Sequence, residues 1–172
     1  MERDIFGGVG EEVLCSYYLR LCTDFFSHTC FLVFADGEPA GYLLGFMRDN
    51  EAYCTTLAVY PKYRRTRVIT MLIGSFMRAI IDHVDSARFT VKPDNIEARA
   101  LHRMLGAVEV EVRQDFYGPG DERIVSKIDR ATFERMRPKY ERIGILDRSD
   151  GVPRAASQPQ DSTGVLERMA AD

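Results

Sequence analysis

The stretch from Ala52 to Met77, AYCTTLAVYPKYRRTRVITMLIGSFM, limits the fold more than any other part of the chain. Ala52 to Val59 is β-branched and aromatic enough for a buried strand, Pro61 ends it, and apolar residues with helical spacing follow from Val68. Arg64, Arg65 and Arg67 stand between the two. A helix start carries unpaired N–H groups and a partial positive charge, so a strand that feeds a helix through a basic turn presents backbone amides and guanidinium groups to a phosphate. The bland alternative is a solvated basic turn.

Val59, Pro61 and Arg64 in this stretch resemble the GNAT superfamily of acetyl-CoA-dependent N-acetyltransferases. The family pattern is a strand ending in Val-x-Pro, then Arg or Gln, two residues, Gly, one residue, and Gly or Ala at a helix start. Arg67 occupies the first of those small positions here and Ile69 the second. A second family motif, N-x-x-A-x-x-L-x-x-x-x-G, is matched by Asn95, Ala98, Leu101 and Gly106, and Phe116-Tyr117-Gly118 precedes the last predicted strand. The resemblance spans about residues 11 to 129. The segment through Thr29 is also faintly similar to the diaminobutyrate acetyltransferases of ectoine synthesis.

The resemblance implies a mixed α/β sheet flanked by helices, with acetyl-CoA as co-substrate. It implies that Leu57, Ala58 and Val59 offer backbone groups to the acetyl and pantetheine portions, and that Arg64, Arg65, Thr66, Arg67, Val68, Ile69 and Thr70 hold the phosphates, with Asn95 also on the cofactor side. His102 stands where the family commonly has a Tyr that protonates the departing thiolate, which implies a general acid or a contact to the thiol. Imidazole suits that work because its pKa lies near neutrality; the alternative is a helical His without a role. Tyr53, Thr55 and the nearby Glu51 are the candidates for a general base, and each also reads as an ordinary strand residue. The activity so implied is acetyl transfer to a primary amine of a small molecule such as an amino acid or diamine, by a protein able to form a homodimer. The rivals are a non-catalytic binding module of the same fold, and an acyltransferase that takes a carrier-protein thioester or a longer acyl-CoA.

Read in order, residues 11 to 26 place Val13, Leu14, Tyr17, Tyr18, Leu21, Cys22 and Phe25 on one helical face, with Glu11 and Glu12 in the first turn. Cys30 to Ala35 and Ala40 to Met47 are strands joined by Asp36-Gly37-Glu38-Pro39. After the helix from Val68 to about Asp82 come a strand at Ala87 to Val91, a helix from Ile96 to Leu105 with Gly106 as C-cap, and a hairpin of Val108 to Phe116 with Arg123 to Ile128. Residues 130 to 143 form a short charged helix. The first strand usual in the family is short or missing, because only MERDIFGGVG precedes the first helix. The domain is placed at residues 1–146, and residues 147–172, rich in Pro, Ser, Gly and Asp, are expected to be a disordered tail.

At 172 residues and 45% hydrophobic content the chain supports one domain with a sizeable core. A net charge of −3 gives no general attraction to nucleic acid or to an anionic membrane, so the arginine cluster is a local feature. Cys15, Cys22, Cys30 and Cys54 lack paired C-x-x-C spacing and read as buried reduced thiols. No metal is implied. The first residues lack the features of a signal peptide, and no apolar run approaches the length of a membrane span, so a soluble cytoplasmic protein is expected.

Overall fold

In the computed structural model, which describes residues 2–6 and 13–147, the sheet begins from a tight hairpin. β1 (Phe31–Ala35) and β2 (Glu38–Arg48) are joined by Asp36 and Gly37 alone, at φ 54° and 79°. Positive φ at both central residues matches the right-handed twist of the paired strands, so the two-residue turn forms and Glu38 and Pro39 join β2 instead of the loop. β3 (Glu51–Val59) returns antiparallel to β2. β4 (Ser86–Val91) runs parallel to β3, and β5 (Val108–Arg113) and β6 (Arg123–Asp129) complete a six-stranded sheet of order β1-β2-β3-β4-β6-β5.

Helices cover both faces unequally. α3 (Val68–Ile80), α4 (Ile96–Met104) and α5 (Arg130–Arg142) pack on one face over the larger core, in which Leu72, Phe76, Met77, Phe89, Leu105, Phe133 and Tyr140 are buried. α1 (Glu2–Phe6) and α2 (Ser16–Phe25) cover the other face only over β2 and β3, through Ile5, Cys22, Tyr42, Leu44 and Ala58. The opposite side of β3, β4 and β6 carries the half-exposed charges Glu51, Arg88 and Lys127, with Arg88 3.3 Å and Lys127 3.1 Å from the Glu51 carboxylate.

Several expectations shift. Among the described residues no strand precedes α2, and residues 2–6 are helical. α2 begins at Ser16, and Glu11 and Glu12 lie outside the described residues, as does the segment from 148 onward. The apolar stripe predicted for α2 is wider than the face that packs: Leu14, Tyr18 and Cys22, four residues apart, meet the sheet, while Tyr17 and Phe25 are exposed. Cys15 is exposed rather than buried, because it caps the start of α2 from outside the helix; all four cysteines are free thiols. Among the described residues no helix is long and apolar enough to cross a membrane.

Close approach of α3 to β2 depends on Gly45, because a Cβ there would come within 2.4 Å of the Phe76 ring. Gly45→Ala forces that buried ring to move and is expected to cost about 1–3 kcal/mol. The check is urea unfolding, in which the midpoint falls while the slope is kept.

Candidate active site

β3 carries one residue more than β2 at its centre. Leu44 pairs with Thr56 and Gly45 with Cys54, so Thr55 forms a bulge, and its hydroxyl donates to the Leu44 carbonyl at 3.2 Å. A bulge bends the strand and increases its twist. The parallel ladder to β4 runs from Glu51/Ser86 only as far as Cys54/Phe89, although both strands continue. From Thr55 to Val59 β3 is therefore paired on its β2 side alone, and the backbone groups that face β4 are left for a ligand. Leu57, Ala58 and Val59 lie along this open edge.

The basic turn lies at the wide end of that cleft. Pro61–Tyr63 forms one turn of 3-10 helix, and the Arg64 guanidinium turns back to the Val59 carbonyl at 3.4 Å. Thr66 accepts from the Val68 N–H at 3.3 Å and donates to the Tyr63 carbonyl at 2.7 Å, which fixes the turn. Among the described residues the N–H groups of Arg65, Arg67, Ile69 and Thr70 have no partner, as the first turn of a helix requires. The side chains of Arg65 and Arg67 are exposed and form no ion pair there. Arg67, in place of a small residue, has φ −68° and ψ −7°, so nothing in its backbone calls for glycine. Ile69 is partly buried and packs against the core. The arrangement suits a phosphorylated ligand.

Two groups of side chains meet where the cleft closes, one on each face of the sheet. On the face of α2, the Tyr53 hydroxyl is 2.7 Å from Thr90 Oγ1 and 3.0 Å from the Tyr117 hydroxyl. Tyr18 lies beside Thr55 and Cys22, its phenol pushed up to about 12 by burial. Burial likewise raises the Tyr53 phenol, so it keeps its proton at neutral pH and cannot take another. Within the hydroxyl chain it can hold or relay a proton. Glu51 is also weakened as a base. Burial alone would raise its carboxyl, but Lys127, Arg88 and Ser86 outweigh that and hold it below the ordinary range.

On the opposite face His102 of α4 lies over Phe89, ring centres 4.8 Å apart, and only 9% of its surface is exposed. Burial lowers its pKa to about 4, with the Glu109 carboxylate offsetting part of the fall. A neutral imidazole can donate a hydrogen bond to a thiolate. Asn95 is the N-cap of α4, where its side-chain oxygen accepts from the Ala98 N–H at 3.0 Å.

Tyr117 is the residue that sequence reasoning passed over as part of a turn. Its loop is shaped by the Phe116 N–H donating to the Asp121 carbonyl at 2.9 Å and by Gly120 N–H donating to Asp115 at 2.6 Å. The signal was present in the tyrosine beside Phe116, but only the fold brings it over Tyr53.

Residues 5–107 match the model of the acetyltransferase (GNAT) family. A curated relative, an N-alpha-acetyltransferase of Sulfurisphaera tokodaii, is 26% identical over 106 residues, which cover 54% of this chain and 64% of that protein. The chain therefore spans somewhat less than two thirds of that relative. Among solved structures, Ard1 from Thermoplasma volcanium superposes with a TM-score of 0.66 at 19% identity, covering 73% of this chain and 86% of the other. Diaminobutyrate acetyltransferase EctA from Paenibacillus lautus, solved with its substrate and coenzyme A, superposes with a TM-score of 0.56 at 17% identity, covering 67% and 80%. At these identities the two structures speak to the fold.

The pKa of His102 makes stability depend on pH in a calculable direction. The unfolded chain protonates this side chain near its ordinary 6.5 while the folded chain resists until about 4, so stability falls as pH drops across that window and levels off below it. Compared with His102→Gln, the wild type is expected to lose on the order of 2–3 kcal/mol more between the two limits. Urea titrations of both proteins at neutral and acid pH measure the difference.

Proposed function

The chain belongs to the acetyltransferase (GNAT) family, and from that membership we propose that it transfers an acetyl group from acetyl-CoA to a primary amine. The observation that carries the proposal is the cleft that opens beyond Cys54/Phe89, with unpartnered amides and exposed arginines at its mouth. Bound there, acetyl-CoA supplies an acyl group already activated as a thioester. Arg65, Arg67 and the N–H groups of Arg67, Ile69 and Thr70 neutralise and orient the phosphates. The free β3 backbone beyond Thr55 offers N–H groups to the oxygen that becomes negative as the amine adds. His102 stabilises the departing sulfur by hydrogen bonding. The chain of Thr90, Tyr53 and Tyr117 hydroxyls, on the other face, orients the amine and passes its proton to solvent.

For the acceptor two readings have separate support. A small amine such as an amino acid or diamine is favoured by the shared fold with a diaminobutyrate acetyltransferase. The α-amine of a polypeptide is favoured by the relative named N-alpha-acetyltransferase. It is favoured also by the sheet face beside Tyr53, where among the described residues no helix covers Arg88 and Lys127. We favour the polypeptide reading, because the uncovered face is a feature of this chain itself.

Calorimetric titration with acetyl-CoA is expected to show saturable micromolar binding, about −8 kcal/mol, and Arg65→Ala with Arg67→Ala to weaken it on the order of tenfold or more. No binding at millimolar acetyl-CoA overturns the reading and leaves a carrier-bound donor or a non-catalytic module. With binding established, acetylation of short peptides in preference to free amino acids and diamines decides the acceptor; the reverse preference restores the small amine.

A further inference from the structure

Three strands place one row of residues beneath α4. Phe89 of β4 pairs with Ser126 of β6, and Ser126 in turn pairs with Glu109 of β5. Directly paired residues of antiparallel strands point to the same face, so Phe89, Ser126 and Glu109 form a line across the sheet with Ser126 in the middle. His102 lies over one end of that line and within electrostatic reach of the other. Its ring is 4.8 Å from Phe89, and it feels the Glu109 carboxylate, which is held by Arg99 at 2.9 Å and Arg103 at 3.7 Å on either side of His102 in α4. The side chain between the two ends is therefore the neighbour of the imidazole.

Two buried polar atoms in this space lack partners among the described residues, and they are the Ser126 hydroxyl and His102 Nδ1. Ser126 is 1% exposed and His102 9%. A buried hydroxyl and a buried ring nitrogen each left unmade cost far more than the bond between them. A hydroxyl can swing between staggered rotamers at low cost, whereas the imidazole is confined between Phe89 and α4. Neither atom belongs to the hydroxyl chain of Tyr53, which lies on the other face.

We infer that Ser126 is a positioning residue for His102: its hydroxyl, on rotation about χ1, donates to Nδ1 and so fixes the imidazole with its proton on Nε2. The inference rests on the acetyl-transfer reading only for its consequence, because a neutral His102 with hydrogen on Nε2 presents a donor at the closed end of the cleft, where the sulfur of the leaving group comes. The tautomer itself is a property of the protein alone. An imidazole with its proton on Nδ1 would face the cleft with a lone pair, which repels a thiolate. Ser126 thus decides which of two chemically opposite faces His102 shows.

The test is the imidazole nitrogen spectrum of uniformly 15N-labelled protein without ligand. The expected result is a single His102 tautomer protonated on Nε2, with Nδ1 shifted as a hydrogen-bond acceptor; in Ser126→Ala that shift is lost while the backbone amide spectrum is kept. A double-mutant cycle with His102→Gln should show coupling between the two sites. If Ser126→Ala perturbs the fold, Ser126→Thr, which keeps a hydroxyl, should retain the wild-type tautomer. A wild-type proton on Nδ1, an unchanged Nδ1 signal in Ser126→Ala, or strict additivity overturns the inference. Given acetyl-CoA binding, Ser126→Ala should lower kcat on the order of tenfold, the scale of one hydrogen bond to a charged group, with KM for acetyl-CoA little changed. A raised KM at constant kcat assigns Ser126 to packing and overturns the inference, whereas failure of acetyl-CoA binding in the wild type overturns only the acetyl-transfer reading and leaves the tautomer result standing.

Discussion

The extra residue at Thr55 is the constraint from which the site follows. Without it β3 would continue in register with both neighbours, and the parallel ladder would close the cleft at Leu57 to Val59. With it, pairing to β4 stops at Cys54/Phe89, and a buried sheet acquires backbone groups that have no protein partner on one side. Unpaired buried amides are costly, so the opening persists because the surrounding layers are rigid. Phe76 and Leu72 hold α3 against β2 and β3 through the contact that Gly45 permits. The same bulge turns Thr55 toward Tyr18 and its hydroxyl to Leu44, so the defect is satisfied locally where it is not left for a ligand.

The two faces of the sheet at this point differ in polarity for a physical reason. On the side of α2 the residues are phenols and threonines, whose hydroxyls bond each other and tolerate partial burial while remaining neutral. On the side of α4 an imidazole is buried against a phenylalanine and is also neutral. Neither face holds a free carboxylate at the closed end of the cleft, because Glu51 is neutralised by Arg88 and Lys127 one step down the strand and Glu109 by two arginines of α4. The site is thus built to orient neutral groups, and charge is concentrated at the mouth, where Arg64, Arg65 and Arg67 are exposed. Charged and neutral groups are separated along the cleft in this way.

Much of the fold was legible because its signals are local. Asp36-Gly37, the Val59-Pro61 strand end, the arginine turn and Gly106 at φ 84° each specify a backbone conformation within a few residues. The backbone of the candidate site was legible where it rests on such conformations, as in the turn from Pro61 to Thr66, and its electrostatics were illegible because they rest on burial. His102 and Tyr53 were identified as positions, but their proton affinities depend on Phe89, Thr90 and Tyr117, which lie 13 to 64 residues away in the chain. Asn95 shows a structural role that motif reading did not give: its side-chain oxygen caps α4. The exposed stripe of Tyr17 and Phe25 shows the same limit for periodicity, which marks which residues can share a face and not whether anything covers it.

α5 lies outside the residues that match the family, and yet the position of His102 depends on it. The last carbonyls of α3 and α4 have no partner within their helices, and α5 satisfies them. Arg130 donates to Ile81 at 2.5 Å, Lys139 to Met104 at 2.8 Å and Tyr140 to Leu105 at 2.5 Å. Arg137 pairs with Asp82 at 2.6 Å, and beyond α5 the Ile145 carbonyl accepts from Arg78 of α3 at 3.0 Å and closes on Gly74. Three cations at helix C-termini also answer the negative ends of those helices. The end of α4 that carries His102 is thereby tied to α3, whose opposite end begins at the basic turn, so the two ends of the cleft are held at a fixed separation by an element that lies outside it.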